Sequence, residues 1–250
     1  MVLTLNQAGF PPRLQPMSAQ VAAGEMVHLL GPNGAGKSTL LALLAGLLPA
    51  VGEVQLAGRS LSAWRRRELA ARRAWLHQQQ TPAGPLPVWH FLAQHLPGAC
   101  GPEAEVRVAE LCAALHLQDK LSRPVGQLSG GEWQRVRLAG VLLQCDPQLN
   151  PLATLLLLDE PLTGLDVAHQ QAVEEWLAAR RREGLSIIMS SHDLNHTLQQ
   201  ADTVWLLQQG RLRAQGDPTT LLQPALLAEV FGVPFRRVSL PEGAFLLRER

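Results

Sequence analysis

The chain has 250 residues, of which 46% are hydrophobic and 17% are charged, and its formal net charge at pH 7 is +1. This length predicts one substantial core, most simply a single domain with subdomains. A charge so close to neutral argues against nucleic acid as the main ligand. We expect no membrane span, because the chain lacks a run of about eighteen apolar residues.

The first residues and the cysteines bear on the compartment. The start, from Met1 to Gln7, shows no basic leader followed by an apolar stretch, so we expect no secretory signal. The three cysteines, Cys100, Cys112 and Cys145, lack the spacing of metal ligands. We expect them to be reduced thiols in a cytosolic protein.

The first predicted elements in the chain are a strand, a glycine-rich loop and a helix. Residues 26–30 are apolar and lead directly into Gly31-Pro32-Asn33-Gly34-Ala35-Gly36-Lys37-Ser38. Leucines then recur at helical spacing over 37–48. Strand, loop and helix in this order are the context that a phosphate-binding loop requires.

The middle of the chain changes character. A strand and turn are predicted over 53–61 and a basic helix over 61–73, whose arginines we interpret as a solvated face. Proline and glycine interrupt the next segment, and helical patterns follow at 103–117 and 131–144. The region from Gln78 to Asp146 is therefore predicted to be an inserted, mostly helical subdomain.

Buried strands return in the second half. Residues 155–159 and 185–190 are apolar runs with a helical segment between them, which predicts a parallel sheet covered on both faces. From Gly210 we expect a further strand and turn, followed by a helix over 218–231. The sequence therefore predicts an α/β fold.

The glycine-rich loop supplies groups that bind phosphate. Its glycines allow backbone N–H groups to point inward at a helix N-terminus, where they bind phosphate oxygens. Lys37 adds a positive charge for the terminal phosphates, and the Ser38 hydroxyl is a ligand for Mg²⁺. A nucleoside triphosphate with magnesium is the predicted ligand.

Two acidic residues follow the apolar run Leu155–Leu158. Asp159 ends a buried strand, where a carboxylate is able to hold magnesium directly or through water. Glu160 comes next, so its side chain points the other way, toward an attacking water. We therefore predict Glu160 as the general base of hydrolysis.

The segment Leu128-Ser129-Gly130-Gly131-Glu132 has two interpretations. Ser129 is a good N-cap for the helix that follows, with the two glycines as a flexible lead-in. Alternatively, the segment is a second phosphate-binding helix start, which would act on the triphosphate of a neighbouring copy of the chain. Taken alone, the segment favours neither interpretation.

In this order and spacing, the three motifs resemble the phosphate loop, signature and magnesium motif of ATP-binding cassette (ABC) ATPases. Leu165-Asp166 resembles the loop that couples the two sites across the dimer, and His192 resembles the switch histidine. Gln78 resembles the glutamine that senses magnesium, water and the transmembrane partner. The resemblance covers essentially the whole chain.

This resemblance implies a P-loop NTPase (RecA-like) core with a mixed or parallel sheet, an antiparallel β subdomain and the inserted helical subdomain. The core would span about 1–77 and 147–205, the insertion 78–146, and the C-terminal strand-turn and helix 206–250. ATP and Mg²⁺ are the implied cofactors, with Glu160, His192 and Gln78 as catalytic residues. Magnesium would be held by Ser38, Gln78 and Asp159. The phosphate loop would comprise Gly31, Pro32, Asn33, Gly34, Ala35, Gly36, Lys37, Ser38 and Thr39; the signature Leu128, Ser129, Gly130, Gly131 and Glu132 would act in trans.

One position departs from the family pattern. Members usually stack adenine on an aromatic residue, often tyrosine, shortly before the glycine loop, and this chain contains no tyrosine. Phe10 is the nearest candidate, and Arg13 is an alternative stacking partner.

Further segments resemble the ATPase subunits of bacterial vitamin B12 importers. They are the triple glutamine 78–80 with the proline-rich stretch after it, the continuation Trp133–Arg137, the long link 145–151 and the residues around His192. The resemblance implies a homodimer beneath two transmembrane permease subunits, served by a periplasmic binding protein. The chain would lie on the cytoplasmic side of the inner membrane, touching it only through the permease, and would bind no nucleic acid.

The sequence leaves three alternatives open. The same machine carrying a ferric siderophore or haem is one alternative, because no residue of this chain is expected to touch the cargo. A soluble ABC ATPase that does not transport usually has coiled-coil insertions or tandem cassettes, and neither is seen here. A simple kinase or GTPase would lack both the Leu128–Glu132 segment and His192.

Overall fold

In the computed structural model the described residues are 1–78, 84–98, 101–241 and 243–249. Gln79, Gln80, Thr81, Pro82 and Cys100, which the sequence singled out, lie outside them. The chain forms two compact units: the first unit joins Met1–Ala63 with Ser186–Arg250, and the second unit is Trp64–Leu185. The boundaries predicted for the core, the insertion and the C-terminal segment stay a prediction.

The helices and strands follow one another in the order of an α/β protein. The strands are β1 (Leu3–Phe10), β2 (Leu14–Val21), β3 (Met26–Leu30), β4 (Val51–Leu56), β5 (Arg59–Ser60), β6 (Arg73–Leu76), β7 (Leu155–Leu158), β8 (Ser186–Ser190), β9 (Thr203–Gln208), β10 (Arg211–Gly216), β11 (Phe235–Leu240) and β12 (Gly243–Arg248). The α-helices are α1 (Lys37–Leu44), α2 (Arg66–Arg72), α3 (Val88–Ala93), α4 (Pro102–Ala114), α5 (Gly130–Gln144), α6 (Val167–Arg182), α7 (Leu194–Gln200), α8 (Pro218–Leu221) and α9 (Pro224–Phe231).

The first unit contains an antiparallel sheet in the order β2-β1-β4-β5. Along β2, exposed and buried residues alternate from Pro16 to Val21, which is the pattern of a strand that packs one face on the core. Phe10 pairs with Leu14 at the end of the β1–β2 hairpin. The antiparallel β subdomain expected from the resemblance is confirmed.

The first unit also holds a set of parallel strands. Strand β3 pairs in parallel with β8 on one side and with β9 on the other. All five residues of β3 and all five of β8 are buried. Burial on both faces explains why these strands are apolar runs in the sequence rather than alternating patterns.

The second unit holds the other parallel pair, β6 with β7, in register from Arg73 beside Leu155 to Leu76 beside Leu158. All four leucines of β7 are buried. Helices α4 and α5 confirm the helices predicted over 103–117 and 131–144.

Three helices differ from their predicted extents, and in each case the backbone conformation of one residue explains the difference. Helix α1 stops at Leu44 rather than 48, because Gly46 adopts a left-handed conformation with φ of 72° and closes the helix end. The helix predicted over 61–73 is a 3₁₀ turn, Leu61–Ala63, and α2; Arg65 between them is extended. The helix predicted over 218–231 is two helices, since Pro224 starts α9 and forces the preceding residue out of helical geometry.

An antiparallel hairpin, β11–β12, closes the described chain. Asn195 of α7 holds it through its side-chain amide, which donates to the Leu246 carbonyl at 3.1 Å and accepts from the Leu246 N–H at 2.7 Å. Leu246 lies in a buried cluster with Leu206 and Leu227. None of the helices among the described residues is both long and apolar enough to cross a bilayer.

An ion pair in the second unit gives a test of the fold. Arg107 of α4 donates from Nε and Nη2 to one carboxylate oxygen of Asp146, at 3.0 and 2.8 Å. Arg107→Met should lower the free energy of unfolding by about 1–3 kcal/mol, because it removes the cation from a buried carboxylate. Urea denaturation measures this change.

Glu110→Gln is the matched control. It removes the other carboxylate that Arg107 contacts, but the Glu110 side chain is 57% exposed, so we expect little change in stability. Equal stabilities of the two variants would show that the Arg107–Asp146 pair does not support the fold.

Candidate functional site

The glycine-rich loop joins β3 to α1 in the first unit. Lys37, the first residue of α1, is only 7% exposed. Its ammonium group donates to the carbonyl oxygens of Gly31 at 2.7 Å and Pro32 at 3.3 Å. The loop is therefore folded back around the lysine, with the start of α1 in position for an anion.

Gly31 is required by the packing behind the loop. Its φ is +147°, and a Cβ atom at this position would lie 2.2 Å from the backbone oxygen of Leu207 on β9. Gly36, the N-cap of α1, also has a positive φ, of +103°. The glycines that the sequence assigned to the phosphate loop are thus needed for its backbone path.

The β1–β2 hairpin end borders the loop in the same unit. The carbonyl of Arg13 lies 3.6 Å from the position of a Cβ atom on Gly36. Gly210 bridges the two segments: its N–H donates to the Ala35 carbonyl at 3.0 Å, and its carbonyl accepts from Gln15 at 2.7 Å. Phe10 is half-buried and Arg13 is exposed. Their predicted contact with adenine stays a prediction.

His192 follows β8, the strand beside β3. The N–H of Ser191 donates to the Leu29 carbonyl at 3.1 Å, so the pairing continues to the ends of both strands. The turn is held on either side of the histidine, since the Asp193 N–H donates to Ser191 Oγ and the Asp193 carboxylate caps α7. His192 itself is exposed and lies at the same sheet edge as the phosphate loop.

The acidic pair follows β7 in the second unit. Asp159 is 1% exposed, and its N–H donates to the Leu76 carbonyl at 3.0 Å. Glu160 has a φ of +48°, in the left-handed region that a residue with a side chain seldom adopts. Backbone strain of this kind is concentrated at functional sites, and here it turns the chain directly after the strand.

Gln78 lies close in the fold to Asp159. It is exposed and comes two residues after β6, which pairs in register with β7 up to Leu76 beside Leu158. Within the second unit, the structure therefore brings Gln78 and the acidic pair to one edge of the parallel strands.

The signature segment forms the start of α5. Ser129 is the N-cap: its hydroxyl accepts from the Glu132 N–H at 3.3 Å, and its own N–H donates to the Glu132 carboxylate at 2.8 Å. Hydrogen bonds from the Ser129 backbone and from its hydroxyl to the carboxyl lower the pKa of Glu132, with a smaller effect from Lys120. The N-cap interpretation is confirmed, while the exposed Ser129 and Gly130 keep the trans interpretation as a prediction.

The predicted coupling loop lies beside the signature. A Cβ atom on Gly131 would be 3.3 Å from the Gly164 carbonyl, one residue before Leu165. Asp166 is the N-cap of α6, and hydrogen bonds from the His169 backbone and ring lower the pKa of its carboxyl. Leu165 is buried, whereas the Asp166 side chain is 66% exposed.

Two further polar residues on α5 contact this edge and were not assigned a role from the sequence. Gln134 donates to the Pro161 carbonyl at 2.9 Å, and Arg137 donates to the carbonyls of His77 and Gln78. One feature of the sequence could have indicated the contact of Arg137: this arginine lies one helical turn after Trp133, on a helix face that is otherwise apolar.

A substitution tests the packing of the loop. Gly31→Ala should destabilise the protein by about 1–3 kcal/mol beyond the effect of its backbone angle, because the methyl group overlaps the Leu207 carbonyl. Gly58→Ala is the control, since Gly58 also has a positive φ, of +72°, but no described atom within 4 Å of its Cβ position. Thermal unfolding of both variants gives the difference, and equal melting temperatures would refute the close approach.

Comparison with known proteins agrees with this geometry. Residues 14–163 match a family model described as ABC transporter. The vitamin B12 import ATP-binding protein BtuD of Escherichia coli O45:K1 (strain S88) is 50% identical over 240 residues, which are 96% of this chain and 95% of that protein. The corresponding BtuD of Escherichia coli O81 (strain ED1a) matches equally well.

Solved structures share the fold. The ATP-binding subunit of an ABC transporter superposes with a TM-score of 0.77 at 26% identity, over 93% of this chain and 94% of that one. A bacterial Atm1-family ABC exporter with ATP bound gives 0.78 at 27% identity, over 92% of this chain and 41% of that one. These matches confirm the expected α/β P-loop NTPase fold. The chain therefore belongs to the ABC transporter family, whose ATP-binding subunits it matches over nearly its whole length.

Proposed function

We propose that the chain is the ATP-hydrolysing subunit of an importer that carries vitamin B12 across the bacterial inner membrane. The observation that carries this proposal is the 50% identity to BtuD over 96% of the chain. The local geometry of the phosphate loop and of the Asp159–Glu160 turn supports the ATPase part. The cargo rests on the likeness alone, since the chain has no residue expected to touch it.

ATP binding begins with the loop that Lys37 organises. The Lys37 ammonium group now held by the Gly31 and Pro32 carbonyls would turn to the β- and γ-phosphates. Backbone N–H groups at the start of α1 would supply the remaining donors. Phe10 or Arg13, on the hairpin beside the loop, would stack on adenine.

Magnesium fits the chemistry of the proposed donors. Ser38, Gln78 and Asp159 offer a hydroxyl, an amide and a carboxylate oxygen, and Mg²⁺ prefers oxygen ligands. The Asp159 carboxylate is buried at 1% exposure, where a nearby cation stabilises its charged form. When bound, the ion would neutralise phosphate charge during transfer.

Glu160 would act as the general base. It would take a proton from water while the water oxygen attacks the γ-phosphorus and the bond to the bridging oxygen breaks, releasing ADP and phosphate. The left-handed backbone at Glu160 sets the direction of its side chain after β7. His192 would hold the γ-phosphate and the water in place, and Gln78 would contact magnesium and the water.

The signature would complete each site from a second copy of the chain. In a head-to-tail homodimer, Ser129 and the two glycines of one copy would face the ATP held by the loop of the other. The capping box with Glu132 supports this role, because it fixes the start of α5 before any nucleotide binds. Leu165 and Asp166 would couple the two sites.

The remaining partners would be two transmembrane permease subunits and a periplasmic binding protein that delivers the cargo. Trp89 is 48% exposed on α3, beside His90, and offers an apolar surface to the permease. The chain would be peripheral, on the cytoplasmic side of the inner membrane. An importer of a ferric siderophore or haem would use the same ATPase.

Two substitutions separate binding from hydrolysis. Glu160→Gln should leave ATP affinity unchanged, lower kcat by about 10²–10⁴-fold through loss of the base, and accumulate an ATP-bound dimer. Lys37→Ala should weaken ATP binding itself by about tenfold or more, because it removes a charge-assisted hydrogen bond. Equilibrium ATP binding, steady-state hydrolysis and size-exclusion chromatography measure these effects. Normal turnover by Glu160→Gln would remove Glu160 from the reaction.

The cargo is tested by transport. The chain would be purified with its permease subunits, reconstituted into vesicles and supplied with ATP and the binding protein. We expect accumulation of radiolabelled cobalamin, with the Glu160→Gln complex as the inactive control. Accumulation of a ferric siderophore or haem in its place would assign the other cargo.

A further inference from the structure

The second unit contains a buried arginine that has no role in the proposed hydrolysis of ATP. Arg137 lies in the middle of α5 and is 4% exposed. Trp133, one turn earlier on the helix, is 7% exposed. A buried cation is costly, and an apolar side chain of similar length at this position would usually be cheaper.

The contacts of Arg137 show what its charge acts on. Its guanidinium donates to the His77 carbonyl, to the Gln78 carbonyl at 3.4 Å and to Gln134 Oε1 at 3.2 Å. All three acceptors are neutral oxygens, and burial lowers the pKa of the guanidinium. Two of them belong to the backbone directly after β6, so the arginine holds the segment from which the Gln78 side chain projects.

Gln134 extends this contact to the other strand. Its amide oxygen accepts from Arg137, and its amide nitrogen donates to the Pro161 carbonyl at 2.9 Å. Pro161 directly follows Glu160, whose backbone is in the left-handed region. One pair of side chains on α5 therefore bonds to the backbone at Gln78 and to the backbone beside Glu160.

The same helix begins at the signature. Ser129 caps α5, and Arg137 lies eight positions later, about 12 Å along a rigid helix at 1.5 Å per residue. A shift or rotation of the helix start therefore moves the donors of Gln134 and Arg137 together.

We propose that Gln134 and Arg137 form a positioning relay that links the signature of each chain to the catalytic groups of the same chain. The proposal rests on the proposed ATPase function and its composite sites. In the dimer, Ser129 would bind the partner's ATP while Gln78 and Glu160 act on the chain's own ATP. Binding of the partner's ATP by Ser129 would thus position Gln78 and Glu160 at the chain's own ATP.

The test uses variants of the full complex with its permease. Arg137→Met keeps side-chain length but removes every donor, and Gln134→Glu keeps an acceptor for Arg137 but loses the donor to Pro161. Each should lower kcat by about 10- to 100-fold, as expected for displaced catalytic groups, with ATP affinity unchanged. Arg137→Lys should recover part of the rate, because its ammonium group is able to reach one carbonyl.

The dependence of the rate on ATP concentration tests the coupling. Two linked sites give a sigmoidal curve for the unaltered complex, and both variants should give a hyperbolic one. A hyperbolic curve for the unaltered complex would overturn the proposal, as would a sigmoidal curve for the variants.

Arg107→Met is the matched control, since it removes another partly buried arginine of the same unit that bonds to Asp146 and not to the segments at Gln78 or Pro161. We expect it to lower the melting temperature while kcat stays normal. The relay is refuted if the decrease in kcat of Arg137→Met is fully explained by the decrease in its melting temperature. It is also refuted if Gln134→Glu is fully active. Failure of the ATPase assignment is distinguishable, because the unaltered complex would then hydrolyse no ATP, whereas failure of the relay leaves its turnover normal.

Discussion

The pairing of buried parallel strands is the constraint on which the rest of the structure depends. In the first unit β3 and β8 are entirely buried and stay in register to Leu29 beside Ser190. In the second unit β6 and β7 stay in register to Leu76 beside Leu158. The loop, the acidic pair and His192 follow directly where these strands end, and parallel pairing brings neighbouring strand ends together.

The firm scaffold allows irregular backbone at the site. Gly31 passes so close to β9 that it has no room for a side chain, and Glu160 adopts a positive φ. Such conformations persist only where the surrounding structure holds them. The signature has a similar design, because the bonds between Ser129 and Glu132 fix the helix start. Along that helix, Gln134 and Arg137 extend the same rigidity to the strand ends.

Much of the fold could be predicted from the local sequence pattern. One predicted helix was wrong because of residues within it, and one contact was missed because its partners lie far away in the chain. The phosphate loop, the buried leucines of β7 and the helices α4 and α5 were predicted from spacing and composition. The helix expected over 61–73 fails because Arg65 is extended, with its N–H bonded to the Glu68 carboxylate. Arg137 was missed as a contact residue because its acceptors, the His77 and Gln78 carbonyls, lie about sixty residues earlier in the chain.

The sequence by itself determined the strand–loop–helix around Lys37 and the acidic pair after β7, because each depends on backbone geometry within a few residues. The N-cap at Ser129 was one of two interpretations that the sequence left open. Only the tertiary structure decided that His192 lies beside the phosphate loop, that Gln78 lies beside Asp159, and that α5 bonds to the ends of β6 and β7. These contacts join segments far apart in the chain. Their partners are chosen by packing and strand register, which residue spacing does not encode.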